Sequence, residues 1–401
     1  MIFFLPEWLL LLGALLLSFS SSPSTTEIDR MTPLERAVYA GTVVGDDVRR
    51  DGVRLPARFY TPEPQPLPEP YSLRWRMGAG VPEMTILGFD WPAARPGWYL
   101  NWTLGIIGLQ GIPQTVDEMR LEAVGQEVAA GMEYVPVLRS PGGEFFFSEE
   151  IITQVAANHP GRTWIIGNEP DNRSQDWATP EQYAAAYHRG YQAIKAGDPT
   201  ALVGGGSLSQ VTPLRLQYLD AVWDSYLTQF GVPMPMDVWT MHAFILREEA
   251  GVWGVGVPPG LDPAIRQGQL WTVADHDDVG IVEEQVRLMR QWMANHGQQD
   301  KPLWVSEYGI LLSERFGFTP DVISGFMGRS FELFDRLRDE QTGYPADDYR
   351  LVQRWLWFST NFPEFSSGDL FDAQGQPTLL METMADYLDA ESESSASRAG
   401  E

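Results

Sequence analysis

The chain has 401 residues, of which 44% are hydrophobic, and its formal net charge at pH 7 is -26. This length permits one large domain or two medium ones, and the hydrophobic share permits a sizeable core. The strong negative charge argues against binding to nucleic acid or anionic membrane surfaces, and the lack of cysteine excludes disulfides, thiol nucleophiles and thiolate metal sites.

The N-terminal segment, residues 1–22, predicts export from the cytoplasm. Leu9 to Leu17 is an apolar run interrupted only by Gly13, and the small polar residues that follow are suited to a cleavage site. Against this interpretation, no Lys or Arg precedes the run, which is also short for a full membrane span. We expect a secreted or extracytoplasmic protein whose first 22 residues are either a cleaved signal peptide or a retained anchor.

Three further regions are distinguished by composition. Residues 23–71 predict a linker and a Pro-rich extension, in which TPEPQPLPEP at 61–70 is extended. Residues 72–390 predict one globular domain. Residues 391–401, with the sequence ESESSASRAGE, predict a disordered tail.

Within the domain, short apolar segments alternate with longer amphipathic ones, a rhythm that is typical of βα units and a parallel sheet. Several of the short segments are apolar on both faces, as buried parallel strands require. The candidate strands are 73–79, 98–104, 133–139, 163–168, 201–206, 237–243, 302–307 and 353–359. Eight such strands predict an α/β fold of the (β/α)₈ TIM barrel type, in a single domain.

Amphipathic periodicity predicts helices between these strands. Thr179-Pro180-Glu181-Gln182 combines an N-cap, a proline at the first helical position and a capping-box glutamine, and the helix it begins should end near Gly197. The other predicted helices are 113–131, 212–229, 281–296, 321–340 and 376–389. The long segment 244–277 after the sixth strand is predicted to be a loop at the functional face.

Two glutamates occupy the positions at which a barrel of this type places its chemistry. Glu169 ends the fourth strand in WIIGNEPD, and Glu307 ends the seventh in PLWVSEYG. Because the C-terminal ends of barrel strands converge on one face, we expect the two carboxyl groups to meet across a pocket. Hydrolysis of a glycosidic bond needs an acid for the leaving oxygen and a carboxylate for the developing oxocarbenium ion, which this pair would supply.

The segments WIIGNEPD, DVWTMHAF, KPLWVSEYG and WLWFSTN resemble strands four, six, seven and eight of the clan A glycoside hydrolases. WYLNW at 98–102, with NEPD, is most similar to the glycosyl hydrolase catalytic-core group that includes endo-β-1,3-glucanases, and the β-xylosidase and cellulase branches are nearly as similar. The resemblance covers roughly residues 72–390 and makes this region the catalytic domain. It implies a retaining double displacement in which Glu169 is the acid/base and Glu307 the nucleophile, while Asn168 holds the 2-hydroxyl of the sugar.

Five other residues are candidates for substrate binding. The resemblance suggests that His242 lies near the nucleophile and that Trp357 is a sugar platform. Tyr308, which follows Glu307, and Asn101 with Trp102, which end the second strand, are predicted to line the pocket. For each of these residues, packing in the core is the alternative interpretation.

Other classes of barrel enzyme fit the sequence less well. The chain has five histidines, of which only His242 is at a strand end, so no metal and no cofactor is expected. Lys195 and Lys301 fall outside the positions required for a Schiff-base enzyme. We expect a carbohydrate partner, with a β-glycan favoured, and leave the oligomeric state open. The alternative is a non-catalytic carbohydrate-binding barrel at the cell surface, although such a protein would not need both glutamates.

Overall fold

The computed structural model of the chain describes residues 66–82, 86, 89–102 and 131–399. In these residues, parallel strands close into a barrel in which each strand pairs with its neighbours in chain order and β1 pairs with β8. The strands are β1 (Met77–Gly80), β2 (Trp98–Asn101), β3 (Glu133–Leu138), β4 (Thr163–Ile166), β5 (Leu202–Gly205), β6 (Val238–His242), β7 (Leu303–Tyr308) and β8 (Arg354–Trp357). This architecture confirms the predicted (β/α)₈ barrel.

The barrel has two separate apolar layers, because successive side chains of a strand point to opposite faces. The inner layer fills the barrel with strand residues alone, and we call it the barrel interior. Its buried members are Trp98, Leu100, Val135, Val137, Ile165, Val238, Trp304 and Leu356. The outer layer packs the other strand faces against the helices and forms the larger part of the core.

Helices cover the outside of the barrel and begin where the sequence supplies N-caps. Thr179 accepts a hydrogen bond from the backbone of Gln182 and completes a capping box, and Thr319 accepts from Val322 in the same way. The helices are α1 (Leu73–Arg76), α2 (Glu149–Asn158), α3 (Pro180–Gly197), α4 (Pro213–Phe230), α5 (Val279–Asn295), α6 (Pro320–Arg336) and α7 (Leu379–Ala399). Short 3₁₀ turns occupy Pro141–Gly143, Val273–Asp275, Glu314–Phe316, Pro345–Asp347 and Pro363–Gly368.

Three local predictions differ from the structure. The first half of the predicted strand 73–79 is the helical turn α1, which Ser72 caps through the backbone N–H of Trp75, and strand pairing begins only at Met77. Helix α2 was not predicted, although Ser148 caps it and two glutamates follow. The tail predicted to be disordered from residue 391 continues as helix to Ala399, since extending a nucleated helix costs little.

Some predictions lie outside the described residues. They are the export segment at 1–22, most of the extension at 23–71, and most of the predicted helix at 113–131. Among the described residues, no helix combines the length and apolar character needed to span a membrane.

Candidate active site

The backbone turns sharply at the end of β4 and brings Glu169 over the barrel opening. Gly167 has φ +80°, which glycine adopts without strain, and Glu169 has φ +45°, which a non-glycine residue rarely adopts. Hydrogen bonds fix this turn, since the N–H of Glu169 donates to the carbonyl of Ser207 and the N–H of Asn168 donates to Oδ2 of Asp176. The pocket-facing position of Glu169 therefore depends on a backbone held in place by its neighbours.

An irregularity in β7 turns Glu307 to the same side. Trp304 belongs to the barrel interior, so strict alternation would point residue 307 outward toward the helices. The pairing register shifts between Val305 and Tyr308, as in a β-bulge, and Glu307 pairs instead with His242 of β6. The bulge brings the carboxyl group to the pocket formed by the C-terminal strand ends.

His242 lies between the two glutamates. Its Nδ1 is 2.9 Å from Oε1 of Glu169, and its Nε2 is 3.3 Å from Oε1 of Glu307. All three side chains are buried. A ring nitrogen of His242 and one carboxylate oxygen from each glutamate all lie within 4.8 Å of one another. The predicted meeting of the two carboxyl groups is therefore present in the structure, and one imidazole connects them.

Polar neighbours hold each glutamate from the other side. The indole N–H of Trp102 is 3.0 Å from both Oε1 of Glu307 and Oδ1 of Asn168, to which it donates. The amide of Asn172 donates to Oε2 of Glu169 at 2.6 Å. These contacts place Asn168, His242 and Trp102, three of the predicted binding residues, in one group with the glutamates.

The protonation of this group is set by burial and mutual charge. Burial raises the pKa of Glu307 to about 7, an effect that the Glu169 carboxylate reinforces and His242 opposes. Burial also acts to raise the pKa of Glu169, but the hydrogen bond and charge of His242, together with Asn172 and Arg215, bring it below its usual value. Burial acts to lower the pKa of His242, but the two carboxylates more than offset this and raise it. In the free protein, a proton on the glutamate pair therefore favours Glu307.

Glu169, His242 and Glu307 also carry atom types that bind metal ions. However, the two ring nitrogens of His242 face different carboxylates, and each is within hydrogen-bonding or ion-pairing distance of its own. This geometry suits the sharing of protons along a chain of three groups better than the convergence of three ligands on one ion.

A cluster of buried charges supports the loop after β4. Arg215 of α4 donates through Nη1 to Asp171 and through Nε to Glu248, the latter at 2.8 Å. All three side chains are fully buried. Glu248 belongs to the long loop after β6 and also accepts from the backbone of Gln269 at 2.8 Å. The cluster therefore ties the loop that carries Glu169 to the loop after β6.

Three predicted pocket residues point away from the pocket. Asn101 is buried and accepts a hydrogen bond of 2.6 Å from the hydroxyl of Tyr134, which belongs to the outer layer. Tyr308 and Trp357 are also in the outer layer, with their rings 5.3 Å apart and the indole N–H of Trp357 bonded to the carbonyl of Gly368. The prediction that these residues line the pocket is wrong in this structure, because each precedes or follows an inward-facing residue on its strand.

Phe358 is a pocket residue that was not predicted. Its ring is partly exposed and lies 5.7 Å from that of Trp102 and 6.1 Å from that of Phe244, in edge-to-face contact with both. Asn172 was likewise missed as a partner of Glu169. Alternation along β8 would have found Phe358, because Leu356 is in the barrel interior and Phe358 is two residues further on.

No protein-family model matches the chain, and no curated protein matches it either. The fold is similar to that of several solved structures. A GH128 subgroup II endo-β-1,3-glucanase from Pseudomonas viridiflava is 18% identical, with 77% of this chain and 96% of that chain covered and a TM-score of 0.50. A subgroup III curdlan-specific exo-β-1,3-glucanase from Blastomyces gilchristii is also 18% identical, with 77% and 97% covered and a TM-score of 0.46. At this level of identity the likeness establishes a shared barrel fold.

Proposed function

We propose that the chain is a retaining glycoside hydrolase that cleaves a β-linked glucan. The observation that carries the proposal is the position of Glu169 and Glu307 at the C-terminal ends of β4 and β7. Their nearest carboxylate oxygens lie within 4.8 Å of each other. Carboxyl groups of retaining glycosidases stand roughly 5–5.5 Å apart, whereas inverting enzymes leave a wider gap for a water molecule. The short separation favours the retaining mechanism.

The proposed reaction has two displacements. In the first, the carboxylate of Glu307 attacks the anomeric carbon while Glu169 protonates the glycosidic oxygen, so that the bond to the leaving sugar breaks and a glycosyl ester forms. In the second, Glu169 takes a proton from water, the water oxygen attacks the same carbon, and the ester bond to Glu307 breaks. Asn168, placed beside Glu307 by the shared Trp102 contact, is positioned to bind the hydroxyl next to the reacting carbon.

These roles require the proton on Glu169, whereas the free protein favours it on Glu307. His242 can reconcile the two, because it contacts both carboxyl groups through different nitrogens. The ring takes up the proton of Glu307 at Nε2, forming the cation that its raised pKa favours, and then releases its other proton from Nδ1 to Glu169. This relay changes no net charge, and it leaves Glu307 ionised for attack and Glu169 protonated for the leaving oxygen.

The choice of a glucan as substrate rests on two supports. The fold is similar to that of a GH128 subgroup II endo-β-1,3-glucanase from Pseudomonas viridiflava. The pocket also combines the partly exposed rings of Trp102 and Phe358 with buried polar groups, a combination that suits the apolar faces and hydroxyls of neutral sugars. We therefore expect β-1,3-glucan to be the best substrate, ahead of β-1,4-linked glucan, xylan or mannan.

The first experiment is hydrolysis of a panel of these polysaccharides by the purified chain, with product anomers followed by NMR. Glu307→Gln should abolish turnover and keep glycan binding, while Glu364→Gln, an exposed residue in the loop after β8, serves as the matched control and should be fully active. Binding without turnover in the parent chain would support the non-catalytic alternative, and an inverted first product would contradict the double displacement.

Azide rescue separates the two glutamates. With an activated β-glucoside, azide should restore turnover to Glu307→Gly and yield the α-glycosyl azide, because azide then replaces the missing nucleophile. In Glu169→Gly, it should yield the β-glycosyl azide, because the glycosyl ester on Glu307 still forms first. The opposite pairing of variants and products would exchange the two roles.

A further inference from the structure

Trp177 is an exposed aromatic residue held in a strained conformation on the loop that carries Glu169. Its backbone has φ +39°, a left-handed value that bulky residues rarely adopt, and its side chain is 38% exposed. Among the described residues, no hydrogen bond, ion pair or ring contact involves this side chain. The described part of the chain therefore supplies neither a polar nor an aromatic partner for this indole.

The residues on both sides of Trp177 are buried and fixed. The carbonyl of Asp176 accepts from the N–H of Gly142 at 2.6 Å, and its carboxylate accepts from the N–H of Asn168 at 2.9 Å. The N–H of Ala178 donates to the carbonyl of Pro170 at 2.8 Å, and its own carbonyl accepts from Tyr218. These bonds impose the left-handed turn and project the indole outward.

The same bonds connect Trp177 to the reacting groups. Asn168 and Pro170 flank Glu169, and each is hydrogen-bonded to a residue next to Trp177. The indole therefore belongs to the structural unit of the proposed acid/base, on the face at which the barrel strands end. Glu169 protonates the leaving oxygen in the proposed reaction, so this unit borders the departing half of the chain.

We propose that Trp177 is a platform for a sugar unit on the leaving-group side of the scissile bond. The inference rests on the proposed function and adds to it that the enzyme holds glucan on both sides of the bond, as an endo-acting enzyme must. The occupant is a glucose unit of the β-linked chain, whose apolar face covers the indole. A flat aromatic side chain with few rotatable bonds binds such a face at low entropic cost.

Trp177→Gly gives a sharp test, because glycine accepts the left-handed turn without strain. We expect the thermal midpoint to equal or exceed that of the parent chain. For laminarihexaose, KM should rise about tenfold with kcat retained, which corresponds to about 1.4 kcal/mol of binding. For an aryl β-laminaribioside, in which no sugar occupies the leaving side, the kinetics should not change.

Tyr349→Gly is the matched control. Tyr349 is also 38% exposed and left-handed, with φ +55°, but it lies before β8 and hence at the opposite end of the barrel. This variant should leave both substrates unaffected. A lower thermal midpoint for Trp177→Gly would mean that protein, rather than sugar, covers the indole and would overturn the proposal, as would unchanged kinetics on laminarihexaose.

Binding measurements keep the inference separate from the proposed function. In a Glu307→Gln background, titration with laminarihexaose reports affinity without turnover, and adding Trp177→Gly should weaken it about tenfold. If the parent chain hydrolyses nothing while this loss is seen, the proposed reaction fails and the sugar platform stands. If hydrolysis is normal and the affinity is unchanged, the platform fails and the reaction stands.

Discussion

Replacement of His242 by asparagine tests whether the two glutamates share a proton through the ring. Asparagine is smaller, carries no charge and cannot move a proton between its two ends, so the variant removes both the relay and the positive character between the carboxylates. The surrounding pocket is built by backbone turns and by Trp102 and Asn172, none of which depends on the imidazole. His188→Asn on the outer helix α3 is the control.

The size of the effect follows from the separation of the carboxylates. The nearest oxygens of the two carboxylates are no more than 4.8 Å apart, and two unit charges at that distance repel each other by about 3.5 kcal/mol at an effective dielectric constant of 20, which corresponds to about 2.5 in pKa. In the parent chain, His242 offsets this repulsion and keeps the pKa of Glu169 below its usual value. Without the ring, the pair should hold its last proton to higher pH, and both limbs of the activity profile should move in the alkaline direction by about two units.

The assay is kcat/KM as a function of pH for two aryl β-glucosides. One carries a good leaving group that needs no protonation, and the other a poor one that does. Loss of the relay should lower the rate for the poor leaving group by about 10²–10³ and affect the good one much less, because only the first step of the poor substrate needs the acid. The shared-proton interpretation would be refuted if the acidic and basic limbs of the pH profile did not move, or if kcat/KM fell equally for both substrates.

Three further predictions concern stability and the pocket wall. Because the pKa of Glu307 is raised to about 7, the folded protein loses stability as the pH rises from about 4.5 through 7. Glu307→Gln should remove this loss, so that above pH 7 the variant is more stable than the parent by up to about 3 kcal/mol. Denaturant unfolding at several pH values measures the difference. Glu248→Gln places an amide N–H against the N–H donors of Arg215 or Gln269 and should lower the free energy of unfolding by about 3 kcal/mol. It should also speed proteolytic cleavage within residues 243–278. Phe358→Ala should raise KM for laminarihexaose about tenfold with little change in thermal midpoint, because the ring is partly exposed; an unchanged KM would remove Phe358 from the site.

The barrel and its two glutamates could be predicted because both are marked by clear patterns in the amino-acid sequence. Each strand is a short apolar run, and the carboxyl ends of parallel strands meet at one face whatever the loops do. Glu169 and Glu307 each follow such a run, so the assignment of the strands was enough to predict that their carboxyl groups meet. His242 ends β6, and the resemblance to the clan predicted that it lies near the nucleophile, but its position between the two carboxyl groups was not predicted.

The facing of individual side chains was the main source of error. Asn101 was predicted together with Trp102, and Tyr308 together with Glu307, although adjacent residues of a strand cannot both point inward. Trp357 was predicted to be a sugar platform from the resemblance to the clan, and its neighbour Phe358 was not predicted. Applying strict alternation would not have solved every case, because the bulge in β7 reverses the alternation of side chains before Glu307. The residues from Val305 to Tyr308, where the register shifts, include no glycine or proline to mark it.

The loop after β4 links strain, stability and function in a way that only coordinates reveal. Glu169 and Trp177 are both left-handed, and such residues cost on the order of 1–3 kcal/mol each. The buried carboxylates of Asp171 and Asp176 supply the compensating bonds: Asp176 accepts from the backbone of Asn168, and Asp171 pairs with Arg215. A relaxed version of the loop would be easier to fold, yet it would not hold Glu169 and the indole in the positions that the proposed reaction requires. We infer that the strain persists because buried charges fix a loop whose two strained residues serve the proposed reaction.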